Sequence, residues 1–198
     1  MNPKNKKVTR KHPPLLLLTG ASGAGKSSVL DVLLQDKTLP IVRFITCTTR
    51  PKRPGERHGK DYWFLTRPDF EAKMKKQRFY ESAEVYGNYY GSSKDEMKRL
   101  LKGKKTILMI LDVQGARTMK DHHPEATAIF IDAPTASLKH RLVERGSDMN
   151  DMKRRLAEIT KEKRFKPEAD EVILNRDGDL KRTVSRVRTI IKTALRNT

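Results

Sequence analysis

Cysteine, acidic residues and long apolar runs are all scarce in this chain, and each shortage removes a class of protein. Cys47 is the sole cysteine among 198 residues, so no intrachain disulfide can form and a reducing, cytoplasmic setting is expected. No apolar stretch approaches the roughly 20 residues that cross a bilayer. The five histidines show no ligand spacing, and His122-His123 before Pro124 reads as an exposed turn. A metal is therefore expected only alongside a bound ligand. Acids number 24 against 43 Lys and Arg, a net charge of +19 that attracts polyanions and says nothing about fold. The aromatics do not interleave with the basic runs, so that charge carries no nucleic-acid motif. The basic residues at the start (Lys4, Lys6, Lys7, Arg10, Lys11) have no apolar core behind them. They read as a mobile tail ending at Pro13-Pro14, not as a secretory signal. The tail is short and not evidently amphipathic, which disfavours a transit peptide. It is expected to add weak, salt-sensitive nucleic-acid affinity.

What the chain does have is a phosphate-binding loop. Gly20-Ala21-Ser22-Gly23-Ala24-Gly25-Lys26-Ser27 is a full G-x-x-x-x-G-K-S. An apolar strand, Leu15 to Thr19, delivers it, and a helix with Val29, Leu30, Leu33 and Leu34 on one face follows. Glycines let the backbone curl around an anion, and the helix start aims free N–H groups at it. Lys26 places a charge near the β- and γ-phosphates of a nucleoside triphosphate. The Ser27 hydroxyl can reach a magnesium ion that enters with it. The donor site is expected to run from Gly20 through Ser28.

Strands and helices alternate beyond the loop. Ile41 to Thr46, residues 105–111, Ala128 to Ile131 and Val172 to Leu174 read as strands. The closing helix carries Leu180, Val184, Val187, Ile191 and Leu195 at three- and four-residue steps. Unbroken apolar strands between helices predict an α/β fold with a parallel sheet covered on both faces. From Thr46 to about Met97 turn residues, aromatics and charges take over. There Thr66-x-x-Asp69 and Ser93-x-x-Glu96 each fit a capping box. That stretch reads as an inserted lobe, and the charged, largely helical segment at 140–164 as a flap.

The lobe opens with Thr48-Thr49-Arg50-Pro51-Lys52-Arg53-Pro54-Gly55-Glu56 and Gly59-Lys60-Asp61-Tyr62-Trp63-Phe64. Glu81-Ser82-Ala83-Glu84, Gly87-Asn88-Tyr89-Tyr90-Gly91-Ser92, Asp112-Val113-Gln114-Gly115 and Arg141-Leu142-Val143-Glu144-Arg145-Gly146 follow. This set, in this order, resembles the guanylate kinase family from about residue 14 to the C-terminus. The resemblance implies a P-loop kinase fold: a core of 14–45, 98–139 and 165–198, a GMP-binding lobe at 46–97 and a lid at 140–164, preceded by the tail at 1–13. It implies transfer of the ATP γ-phosphoryl group to GMP, and to dGMP, with Mg2+ carried by ATP. Lys26 and Ser27 match the donor-phosphate and magnesium residues. Arg50, Arg53, Tyr62 and Tyr90 match the groups on the acceptor phosphate, and Thr46, Glu81, Ser92 and Asp112 those around the guanine. Arg145 and Arg155 match lid arginines, and Asn175 an adenine-side contact. The catalytic set implied is Lys26, Arg50, Arg145 and Arg155. Both monomer and homodimer stay open.

These residue types suit the chemistry. Phosphoryl transfer brings two anions together in line and stabilises the moving charge. Arginine gives two parallel hydrogen bonds and never deprotonates. Guanine presents N1–H and N2–H₂, which a carboxylate at Glu81 accepts, whereas adenine sets a bare N1 against it. Sites built this way reject analogues by about 10⁴. A hydroxyl at Thr46 completes the reading by donating to O6. The chain departs from the family pattern at Ile110, where an acid is common, at Thr46, where serine is common, and in a lid one residue shorter between Arg145 and Arg155. Three rivals are weaker. A non-catalytic binding module conflicts with the intact Lys26 and Ser27. A kinase of another phosphorylated acceptor conflicts with Glu81 and Tyr90-Gly91-Ser92. A nucleic-acid ATPase rests on net charge alone.

Overall fold

The computed structural model describes residues 12–85, 87–144 and 149–196, without the side chains at 85, 142–144 and 149–155. The tail at 1–11 and Arg145 lie outside the described residues, and Arg155 is described by its backbone alone.

The leucine run forms β1 (Leu15–Thr19), followed by the loop and α1 (Lys26–Gln35), and then β2 (Ile41–Arg43). The lobe comprises β3 (Cys47–Thr48), β4 (Trp63–Phe64), α2 (Arg67–Lys75), β5 (Phe79–Val85) and β6 (Asn88–Ser93). The chain then makes α3 (Lys94–Leu101), β7 (Thr106–Ile110), α4 (Val113–His122), β8 (Thr127–Asp132) and α5 (Thr135–Glu144). It closes with α6 (Met149–Lys163), β9 (Glu171–Leu174) and α7 (Leu180–Arg196).

A five-stranded parallel sheet runs in the order β2-β7-β1-β8-β9. In register, Leu16 sits beside Leu108 on one side and Thr127 on the other. Side chains alternate across a strand, so the unbroken run divides between two cores. Leu16 and Leu18 join Val29, Leu30, Leu33, Val184, Val187 and Ile191 under α1 and α7. Leu15 and Leu17 join Met97, Leu100, Ile107, Met109 and Met119 on the other face. β1 is central, its neighbours lead to opposite faces, and the loop leaves its C-terminal end. Ligands of open α/β sheets bind at such a point.

The strand expected at 41–46 ends at Arg43, and Cys47–Thr48 leaves it for a second sheet, β4-β3-β6-β5. Phe70 and Phe79, stacked at 4.5 Å, form that lobe's own small core with Cys47. Thr66 caps α2 by accepting the Asp69 amide, as expected. Ser93 caps α3 differently: it accepts from the Asp95 amide, and Glu96 turns to a bidentate pair with Arg99. The segment at 140–164 is helical where described, and its Ile159 packs into the main core.

Candidate active site

The loop is shaped by glycines and by three outside segments. Gly20 has φ of +133°, and a Cβ there would lie 2.1 Å from the Ile131 carbonyl oxygen. Gly25, at φ +96°, is the N-cap of α1 and provides no side-chain cap, so the first amides of the helix are left for an anion. From beyond β9, Asn175 donates to the Ala24 carbonyl at 2.8 Å while its own carbonyl accepts from Thr183. It thus stands buried behind the loop with both ends of its amide engaged. From α5, Arg141 donates to the Gly23 carbonyl at 2.9 Å and pairs with Asp177, which also accepts from Ser137. From α6, Glu162 accepts the Ser22 amide at 3.1 Å. The Lys26 ammonium donates to the loop carbonyls of Gly20 and Ala21. Ser27 and Ser28 are exposed in the first turn of α1.

The lobe faces the loop across a cavity of about 370 Å³. Lys26 and Ser22 line it on one side, Thr46, Tyr62, Glu81 and Tyr90 on the other, with Ile110, Asp112 and Glu162 between them. The β5–β6 register slips by one residue between Phe79 and Ser82. Such a bulge re-aims a side chain, and Glu81 sits inside it. Its carboxylate accepts from the buried Ser92 hydroxyl at 2.6 Å. Burial pushes the Glu81 carboxyl above its usual range, with Asp112 adding to the rise and Ser92 opposing it. Asp112 itself caps α4, accepting the Gly115 amide at 2.7 Å. The Thr46 carbonyl accepts the Trp63 amide, tying the start of the lobe to β4.

A smaller recess of about 280 Å³ adjoins this cavity and shares Tyr62 and Tyr90 with it. Ser27, Arg50, Arg53 and Glu56 line it with Asp31, Arg43 and Asp61. Arg50 makes a bidentate pair with Glu56 at 2.7 and 3.0 Å and lies over the Tyr62 ring at 5.5 Å. Glu56 holds Arg50 more firmly protonated, and Arg50 in turn lowers the Glu56 carboxyl. Glu56 also accepts the Arg53 amide, so one carboxylate organises the whole turn.

The expected donor and acceptor residues thus converge, apart from Arg145 and the Arg155 side chain, which lie outside the description, and Asn175, which stands behind the loop. Three residues that hold the site had not been given a role. Arg141 and Glu56 stand inside the quoted motifs; Glu162 carries no spacing signal, being 140 residues from its partner. Cys47 is no nucleophile: it is buried, and burial pushes its thiol up to about 12. Among the described residues no group of three His, Cys, Asp or Glu is placed to hold a metal, and no helix is long and apolar enough to cross a membrane.

Comparison with known proteins agrees with this geometry. A guanylate kinase family model matches residues 12–194. The chain is similar to the guanylate kinase of Symbiobacterium thermophilum, with 37% identity over 180 residues, covering 89% of this chain and 83% of the relative. It is 40% identical over 168 residues to that of Thiobacillus denitrificans, covering 83% and 79% of the two chains. The crystal structure of guanylate kinase from Anaplasma phagocytophilum superimposes with a TM-score of 0.72 at 28% identity, covering 93% of this chain and 87% of that one.

Proposed function

This chain belongs to the guanylate kinase family, transferases that move a phosphoryl group from ATP to GMP, and we propose how its own residues divide that work. The single observation that supports the division is the shared cavity, in which Lys26 of the loop faces Glu81 of the lobe. ATP lies with its phosphates on the amides of Gly20 to Ser28 and the Lys26 ammonium. GMP lies with its base at Glu81, Ser92, Thr46 and Asp112, and its phosphate at Arg50, Arg53, Tyr62 and Tyr90. Arg145 and Arg155 close over the moving phosphoryl group. Asn175 serves the donor side by holding the Ala24 carbonyl.

Magnesium fits this arrangement. The exposed Ser27 hydroxyl opens onto a recess that Asp31 and Asp61 line together with Arg43, Arg50 and Arg53, so its oxygen would hold a hard cation only as one arriving with the ATP phosphates. When bound, the ion offsets phosphate charge. The chain's own contribution is positioning. The acceptor phosphate is already an oxyanion, so no side chain need remove a proton. Arg50 meets that phosphate by exchanging the Glu56 carboxylate for it, and the Tyr62 and Tyr90 hydroxyls donate without adding charge. Glu81 selects the purine: ionised, it accepts the two guanine donors, and against adenine it is left unmatched, at a cost above the about 1–3 kcal/mol of an unpaired neutral group.

A coupled assay of ADP release comparing GMP, dGMP, AMP, UMP and CMP tests this reading. GMP and dGMP are expected to be phosphorylated and the others poorly; equal rates with AMP overturn the role of Glu81. We also propose that residues 1–13 give weak nucleic-acid affinity that falls with salt. Retention on a polyanion resin is expected to drop when they are deleted.

A further inference from the structure

We propose that the Glu162 carboxylate holds, on the Ser22 amide, the place of a terminal phosphate oxygen of ATP, so that ATP binds by displacing it. The inference rests on the donor site assigned above and assigns Glu162 a part in it. An amide of a phosphate loop is a donor for anions, and here an anion from this same chain already occupies it, at 3.1 Å. Glu162 is half-buried and shares a cavity with Ser22, Lys26, Glu81 and Asp112. The cation is occupied as well, since the Lys26 ammonium is turned onto the Gly20 and Ala21 carbonyls. The loop is thus satisfied from within the chain in both charges.

A triphosphate cannot simply join this arrangement. Its terminal oxygens and the carboxylate compete for one donor, and two anions side by side in a half-buried cavity repel. Burial already pushes the Glu162 carboxyl upward, with Asp112 and Glu158 adding to the rise and Lys26 and the Ser22 amide opposing it. The displacement is confined to a side chain. The backbone at this end of α6 is pinned separately: Lys163 donates to the Ala133 carbonyl at 3.0 Å, Lys163 and Lys166 both pair with Asp132, and Phe165 is buried. The carboxylate can rotate out while its helix stays in place. Apparent ATP affinity is therefore scaled down to the fraction of time that the carboxylate leaves the amide free.

Glu162→Gln keeps the shape and removes the charge. Calorimetric titration with MgATP is expected to show binding about tenfold tighter than wild type, the factor by which the fraction of protein with a free amide rises, with GMP affinity unchanged. The rise in Tm on adding saturating MgATP is expected to be larger in Glu162→Gln than in wild type. Glu162→Ala, which removes the acceptor too, is expected to bind MgATP at least as tightly as Glu162→Gln. MgATP binding that is unchanged or weaker overturns the proposal. So does a Tm rise with MgATP that is equal in Glu162→Gln and wild type, which marks a merely structural strut. A wild-type protein that binds no MgATP overturns the donor site itself, and that outcome is separable because it appears before any variant is made.

Discussion

Around the phosphate loop, Asn175, Arg141 and Glu162 arrive from three distant segments to bond its main chain, and Lys26 bonds it from within. In the acceptor lobe the corresponding work is done locally. Arg50, Arg53 and Glu56 lie within seven residues and hold one another. On the proposed division, the donor half is backbone set by tertiary structure, and the acceptor half is a set of side chains oriented by an ion pair. This difference has a reason. Loop amides have fixed directions and need outside support to keep them. A guanidinium carries its own donors and needs only a carboxylate to keep it oriented until a phosphate replaces it. Damage to the donor half should therefore appear in stability as well as turnover, and damage to the acceptor half in turnover alone.

The largest effect is expected where both halves meet. Lys26→Ala removes the one loop cation that faces Glu81 across the cavity. Loss of such a preorganised group is expected to lower kcat by about 10³-fold, read by coupled ADP release. Turnover near wild type would remove the donor half from the chemistry. Next comes Arg50→Ala, with a fall of about 10²-fold in kcat/KM for GMP and little change in Tm, because the partly exposed Arg50 guanidinium is held only within its own lobe, by Pro51 and Glu56 and beside the Tyr62 and Tyr90 side chains. A Tm loss as large as the kinetic one would erase the contrast between the halves.

Asn175→Ala probes the other side of the same contrast. It removes a buried amide that donates to Ala24 and accepts from Thr183. The expected loss is about 2 kcal/mol, read as a Tm lower by about 4–8 °C. Intact stability would mean that the loop holds its shape alone.

Much of the fold was legible in the sequence because its signals are local. The run Leu15 to Leu18 could only be a strand buried on both faces, and the loop motif fixed what followed it. Two features were not legible. The strand expected to continue to Thr46 breaks at Arg43, because the chain crosses into a second sheet where Cys47 pairs with Gly91. Nothing in the residues 41–46 marks that crossing. Glu162 contacts Ser22 across 140 residues, and a lone glutamate in a charged helix has no pattern that singles it out. The roles of Arg141 and Glu56 were hidden differently: both lie in motifs that were visible, but hydrogen bonds to a loop carbonyl or to a neighbouring arginine leave no spacing of their own. Sequence reading picked out residues that converge on the shared cavity and missed those that hold the loop and the lobe's turn in place.

The smallest expected effect is a pH dependence carried by Glu81, an acceptor-side carboxyl that burial raises. Its carboxyl is raised by burial and by Asp112, so the folded protein holds that proton more tightly than the unfolded chain does. Stability from this group is therefore greatest at low pH and declines as pH rises from the ordinary glutamate range through the raised value. Glu81→Gln has no such proton. The difference in Tm between the variant and wild type, both without nucleotide, is expected to move in the variant's favour as pH climbs through that window and to level off above it. GMP affinity should run the other way in wild type, weakening as pH falls and the carboxylate is lost, and in Glu81→Gln it should be weak and flat. A flat difference in Tm would place Glu81 in solvent, on the lobe's surface and not in its cavity.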